Sequence, residues 1–145
     1  MNKKILVAGL GNVFGGDSGF GPAVTFALRE RTWPTGIEIV DFPGHNRDLA
    51  VAMTKGLDAV IFVDTVVRDG SPGTLYVLEP EPGTTALELA RTLGETPRYV
   101  RLVGCEPGVR PAPDEIAHGL SPAVEAAVGP ATKLVAQLVR EVQCS

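Results

Sequence analysis

Asp17, Asp64 and His45 are the side chains best placed to do chemistry, because each follows an apolar, strand-like run. Residues 5–8 precede the glycine-dense stretch Gly9-Leu10-Gly11-Asn12-Val13-Phe14-Gly15-Gly16-Asp17-Ser18-Gly19-Phe20-Gly21, which holds Asp17. His45 comes after residues 37–42, and Asp64 ends the run Val60-Ile61-Phe62-Val63. In α/β proteins the carboxyl ends of parallel strands are where catalytic and ligand groups collect. If the chain is a hydrolase, metal-assisted attack by water is the more natural chemistry, because a divalent cation polarises the carbonyl and activates water without a nucleophilic side chain.

Other chemistries are excluded by spacing. A dinucleotide fingerprint needs a third glycine where Phe14 stands, and no Lys-Ser or Lys-Thr follows the glycines to make a phosphate-binding loop. Two readings of the turn remain. In one, Asp17 or Ser18 is presented near the start of a helix as a working group. In the other, the glycines permit a tight turn and close packing, and Asp17 caps the helix. Asp64 likewise reads as a functional group or as a cap before Val66-Val67, with function favoured by its place at the end of a buried strand. Asp41 precedes Phe42-Pro43-Gly44 and reads as a turn residue. His45 and His118 are the only imidazoles; each sits beside a glycine in a loop, where an isolated histidine is more often solvated than a ligand, and they lack the spacing of a two-histidine metal motif. No Gly-x-Ser-x-Gly elbow is present and neither Cys105 nor Cys144 has a nearby histidine, so a nucleophilic triad has no support.

The elements that position these groups alternate between strand and helix, the pattern of an α/β sheet with helices on its faces. Strands are expected at residues 5–9, 37–42, 59–63, 74–78 and 99–103, the third delivering Asp64. Helices are expected from Pro22 to before Pro34, at 48–55, at 86–93 and from Ser121-Pro122 through Val139, with Ser121 as N-cap and Pro122 in the first turn. Residues 79–83, Glu-Pro-Glu-Pro-Gly, form a connector, and 104–119 a proline-rich surface loop; both are expected to be mobile. The sum is one domain over residues 1–145, a three-layer α/β fold with a twisted, mostly parallel sheet of about five strands.

Bulk properties narrow the partners. The 145 residues are 44% apolar, enough for a real core, and the net charge of −4 comes with no basic run longer than Lys3-Lys4. Nucleic acid is therefore not an expected partner. No apolar run approaches the roughly 20 residues of a membrane span, and no signal-peptide core is present, so the expected location is the cytoplasm. Two dissimilarly placed cysteines make neither a disulfide framework nor a zinc site.

Five ordered motifs carry a resemblance. Gly9-Leu10-Gly11-Asn12 with Gly16-Asp17-Ser18-Gly19-Phe20-Gly21-Pro22, then Val63-Asp64, Pro72-Gly73-Thr74, Val103-Gly104-Cys105-Glu106-Pro107 and Gly119-Leu120-Ser121-Pro122 resemble the hydrogenase maturation proteases over residues 4–140. The resemblance implies a twisted sheet between helices and an endopeptidase that clips a short C-terminal extension from the large-subunit precursor of a nickel–iron hydrogenase after nickel insertion. It implies nickel carried by the substrate, with no other cofactor. It also implies three metal-recognising side chains: an acidic residue after the first aspartate of the glycine loop, the aspartate that ends the third strand, and a histidine after the fourth strand. Asp64 fills the second position, Ser18 stands at the first, and residues 79–93 contain no histidine for the third. Asp17, Asp64 and His45 make a substitute set, with Asp64 and Asp17 as the catalytic pair. The alternatives are a degenerate, non-catalytic relative that binds a hydrogenase subunit or another protein, and a small-molecule binding domain on the same scaffold.

Overall fold

The computed structural model describes residues 3–12, 15–43, 46–80, 91–92, 94, 96–108 and 119–145. Its elements in chain order are β1 (Ile5–Leu10), a 3-10 turn (Gly16–Gly19), α1 (Phe20–Arg29), β2 (Ile37–Phe42), α2 (Asn46–Met53), β3 (Ala59–Thr65), β4 (Leu75–Leu78), β5 (Tyr99–Cys105) and α3 (Pro122–Gln143). The strands form one sheet in the order β2-β1-β3-β5-β4. β1, β2, β3 and β5 are parallel, and β4 closes the edge antiparallel to β5. This is the expected α/β architecture.

Side-chain alternation divides the core into two layers. Ile5 and Val7 of β1, with Ile61 and Val63 of β3, face a layer completed by Phe20, Val24 and Leu28 of α1 and Val135 and Val139 of α3. Leu6 and Ala8, with Val60 and Phe62, face Leu49, Ala50 and Met53 of α2. Buried on both faces, β1 and β3 read as continuous apolar runs, as central parallel strands do.

Helix ends follow local chemistry. α1 stops at Arg29, four residues ahead of Trp33, whose indole N–H donates to the carbonyl of Leu28 at 2.8 Å and satisfies an orphan acceptor of the last turn. α2 begins two residues earlier than expected and ends at Met53, where the Thr54 hydroxyl donates to the carbonyl of Val51 at 2.7 Å. α3 runs four residues past Val139 because Leu138, Val139 and Val142 continue its buried stripe, and it carries Pro130 in its interior. β5 continues to Cys105, which pairs with Thr65 on one side and Leu75 on the other. The expected helix at 86–93 lies outside the described residues apart from 91–92, as do residues 81–83 of the connector and 109–118 of the long loop.

One close approach sets the geometry of the carboxyl edge. A Cβ on Gly21 would lie 2.1 Å from the Leu10 carbonyl oxygen and 2.7 Å from that of Val63. Glycine at this position lets the first turn of α1 rest directly on the ends of β1 and β3. Those two strands flank the point where the chain, having moved from β1 to β2 on one side, crosses to β3 on the other. In open α/β sheets this switch point opens the crevice that ligands use.

Candidate active site

Asp17 and Asp64 both lie at the carboxyl edge beside the switch point, in different surroundings. Asp64 is the penultimate residue of β3, paired with Gly104 of β5. Strand alternation continues Val60 and Phe62 to Asp64 and places it on the α2 side of the sheet. Asp17 sits in the 3-10 turn after β1 and is bonded to the start of α3, on the opposite side. The two carboxylates share an edge, approached from opposite faces of the sheet.

Asp17 is 3% exposed, and its carboxylate accepts three hydrogen bonds. Oδ1 takes the backbone N–H of Ser121 at 2.7 Å, and Oδ2 takes the N–H of Gly108 and the hydroxyl of Ser121, each at 2.8 Å. It thereby joins the glycine turn to the segment after β5 and to the start of α3. Three of the roughly four acceptor positions of the carboxylate are thus taken, and losing any of these bonds would cost about 1–3 kcal/mol for each buried group left unpaired. Neither Asp17 nor Ser121 caps a helix through its side chain: Gly19 is the N-cap of α1, and Ser121, the N-cap of α3, gives its hydroxyl to Asp17 instead.

Asp64 is only half-buried, and the hydrogen bond it receives among the described residues comes from its own neighbour, the N–H of Thr65, at 2.8 Å. Burial raises its pKa above the ordinary 3.8, and the Thr65 bond offsets part of that rise. Its remaining lone pairs are available to a partner. Ser18 is turned to its own loop, its hydroxyl and carbonyl oxygens accepting the Asn12 N–H at 3.0 and 3.1 Å. His45 lies outside the described residues. Among the described residues no group of three or more His, Cys, Asp and Glu side chains is gathered as a metal site.

Asp41 is part of a strand and does not make the turn expected of it. It lies within β2, accepts the Thr25 hydroxyl and forms an ion pair with Arg29 at 3.4 Å, tying β2 to α1. Both residues of the ion pair line a cleft of about 430 Å³ together with Gly16, Pro22, Phe26 and Leu120. Cys105 is fully buried and its thiol is pushed up to about 11 by burial, with the charges of Asp17 and Glu106 adding to the rise, so it is no nucleophile at neutral pH. The buried acid Glu106 is the feature that sequence reasoning passed over. It had appeared only inside a motif, and no local spacing marks a residue whose partners lie some thirty to forty positions upstream.

No family model matches the chain. The Hydrogenase 2 maturation protease of Escherichia coli K12 is 31% identical over an alignment of 155 residues, covering 95% of this chain and 92% of the relative. The structure of the E. coli hydrogenase maturating endopeptidase HybD superposes with a TM-score of 0.77 at 30% identity, covering 95% of this chain and 93% of that one. A hydrogenase 2 maturation peptidase from a Thaumarchaeota archaeon gives 0.76 at 31% identity, over 94% and 98% of the two chains. With that identity over nearly its full length and the same sheet between helices, the chain belongs to the hydrogenase maturation protease family.

Proposed function

We propose that the protein is the endopeptidase that removes the C-terminal extension of a nickel–iron hydrogenase large-subunit precursor, in the cytoplasm. Asp64 carries the reading. It is a half-buried carboxylate at the switch point with oxygens left for a partner, whereas those of Asp17 are engaged in holding the edge together. Membership of the family supplies the reaction type, and the two free cysteines suit a reducing compartment.

In this reading the nickel arrives with the substrate. Asp64, whose pKa burial raises above the ordinary value, faces the metal-bearing segment of the precursor in its carboxylate form, and water is the nucleophile at the scissile carbonyl. Asp17 shapes the edge through Gly108 and Ser121. Of the ligand set Asp17, Asp64 and His45, Asp64 is the one whose described surroundings leave it open.

Co-expression of a large-subunit precursor with and without this protein, read by intact-mass spectrometry, tests the proposal. Loss of a C-terminal peptide only when the protein is present is the expected result. A precursor of unchanged mass refutes it, and a nickel-free precursor that is cut as readily removes the metal from recognition.

A further inference from the structure

Glu106 lies one residue beyond β5 and is 3% exposed. Burial of a carboxylate is unfavourable unless hydrogen bonds replace the lost water, and one stretch of chain supplies several of them here. Oε1 accepts the N–H of Arg68 at 3.0 Å, the N–H of Gly70 at 2.9 Å and the hydroxyl of Tyr76 at 2.7 Å, with Oε2 3.2 Å from the Arg68 nitrogen. The backbone is tied as well: the Glu106 N–H donates to the Thr74 carbonyl at 2.9 Å, and its own carbonyl accepts the Gly73 N–H at 2.8 Å.

All of these partners belong to β4 or to the connection, residues 66–74, that leaves β3 immediately after Asp64 and Thr65. That connection is shaped around the carboxylate. Asp69, between the two donating amides, has φ of 60°, the only positive value at a non-glycine among the described residues. This conformation turns neighbouring N–H groups toward one anion. At Gly70 a Cβ would lie 2.3 Å from the Tyr76 hydroxyl oxygen and 3.2 Å from Glu106 Oε1, so a side chain there would displace the contact. Apolar burial contributes little, since Val67 is 53% exposed and Arg68 through Pro72 are exposed.

The connection is continuous with the site. The Thr65 N–H is the donor to Asp64, Val66 donates to the Cys105 carbonyl at 3.0 Å, and the next tie along the chain is Arg68 to Glu106. We infer that Glu106 is a positioning residue for Asp64: its carboxylate, through the Arg68 and Gly70 amides and the Tyr76 hydroxyl, fixes the exit of β3 and with it the direction of the Asp64 side chain. The inference rests on the reading of Asp64 as the residue that meets the substrate.

Glu106→Gln keeps the shape and one acceptor oxygen but presents an NH2 group to donors. Measured well below its unfolding midpoint, the full-length variant should lose about 10-fold or more in kcat on the precursor, because small misplacements of a working group are costly. KM should stay within about two-fold, the pattern of a group lost only from the reaction step. Amide exchange at Arg68 and Gly70 should accelerate, and the Asp64 carboxyl titration, followed by 13C NMR, should move down toward the ordinary range as water gains access. Tyr76→Phe, which leaves the backbone bonds in place, should show the same changes in smaller measure. A folded Glu106→Gln with wild-type kcat and an unmoved Asp64 titration overturns the inference. Should Glu106→Gln not fold, wild-type kcat and titration in Tyr76→Phe overturn it. If the wild-type protein cuts no precursor, the functional reading fails, and the Asp64 titration, which needs no substrate, still decides the role of Glu106.

Discussion

Ser121 gives both its backbone N–H and its hydroxyl to the carboxylate of Asp17, a residue 104 positions earlier in the chain. With Gly108 as third donor, this single side chain fastens the turn after β1, the segment after β5 and the N-cap of α3 to one another. The glycine turn is thus held from the far end of the sequence.

Asp17→Asn should therefore act mainly on stability. Its NH2 group faces one or more donors, and charge-assisted bonds of this kind contribute about 1.5–3 kcal/mol each. Urea unfolding is expected to show a lowered midpoint. A cycle with Ser121→Ala should give a coupling energy of about 0.5–3 kcal/mol; additive effects would deny the link.

Asp64→Asn should behave in the opposite way, abolishing precursor trimming by on the order of 100-fold or more if the charge is required. Stability should hold or rise. Because burial raises the Asp64 pKa, the folded state binds that proton more tightly than the unfolded chain. The associated stability is present below the unfolded value, near 3.8, and is lost as pH rises through the folded value. The variant should lack this decline, seen as a flatter urea midpoint across that window. For the wild-type protein, kcat should climb with pH as Asp64 ionises, on a limb displaced upward from the ordinary carboxylate range.

Cys105 and Cys144 should separate cleanly in a thiol assay. Cys144 is exposed and Cys105 is buried with its pKa near 11, so a colorimetric thiol reagent should find one fast group in the native protein and two in urea. Cys105→Ala that retains precursor trimming is expected, since the thiol takes no part in the reaction.

Pro130 stands exposed inside a helix of 22 residues. It removes one backbone hydrogen bond and crowds the preceding turn, an effect partly offset by its stiffening of the unfolded chain. Pro130→Ala should raise stability by ~1–2 kcal/mol, read as an increased Tm. An unchanged or lowered Tm would mean that proline at this position serves the packing of α3.

The strands that position Asp64 were legible because β1 and β3 are buried on both faces, and continuous apolar runs such as Val60-Ile61-Phe62-Val63 have few other uses. Resemblance added the order of the motifs. Asp17 stood out for a different reason: a lone carboxylate among glycines is conspicuous, but its partners, Gly108 and Ser121, are far away in sequence, and only the folded chain reveals that its oxygens are engaged. Ser121 was found as a helix start and missed as a donor to Asp17. Glu106 was missed because a buried acid is recognised by what surrounds it, and its donors among the described residues include two backbone amides and a tyrosine hydroxyl.

The bonds from Asp17 to Gly108 and Ser121 span 91 and 104 residues of chain. Contacts of such separation form only after a large loop has been closed, and their entropic cost delays them in folding. On the ribosome the first strand and the glycine turn emerge long before Ser121 is synthesised, so the turn waits for its anchor. Completion of the edge is then tied to completion of the chain, and a nascent or C-terminally truncated protein holds the residues of the edge without their final arrangement.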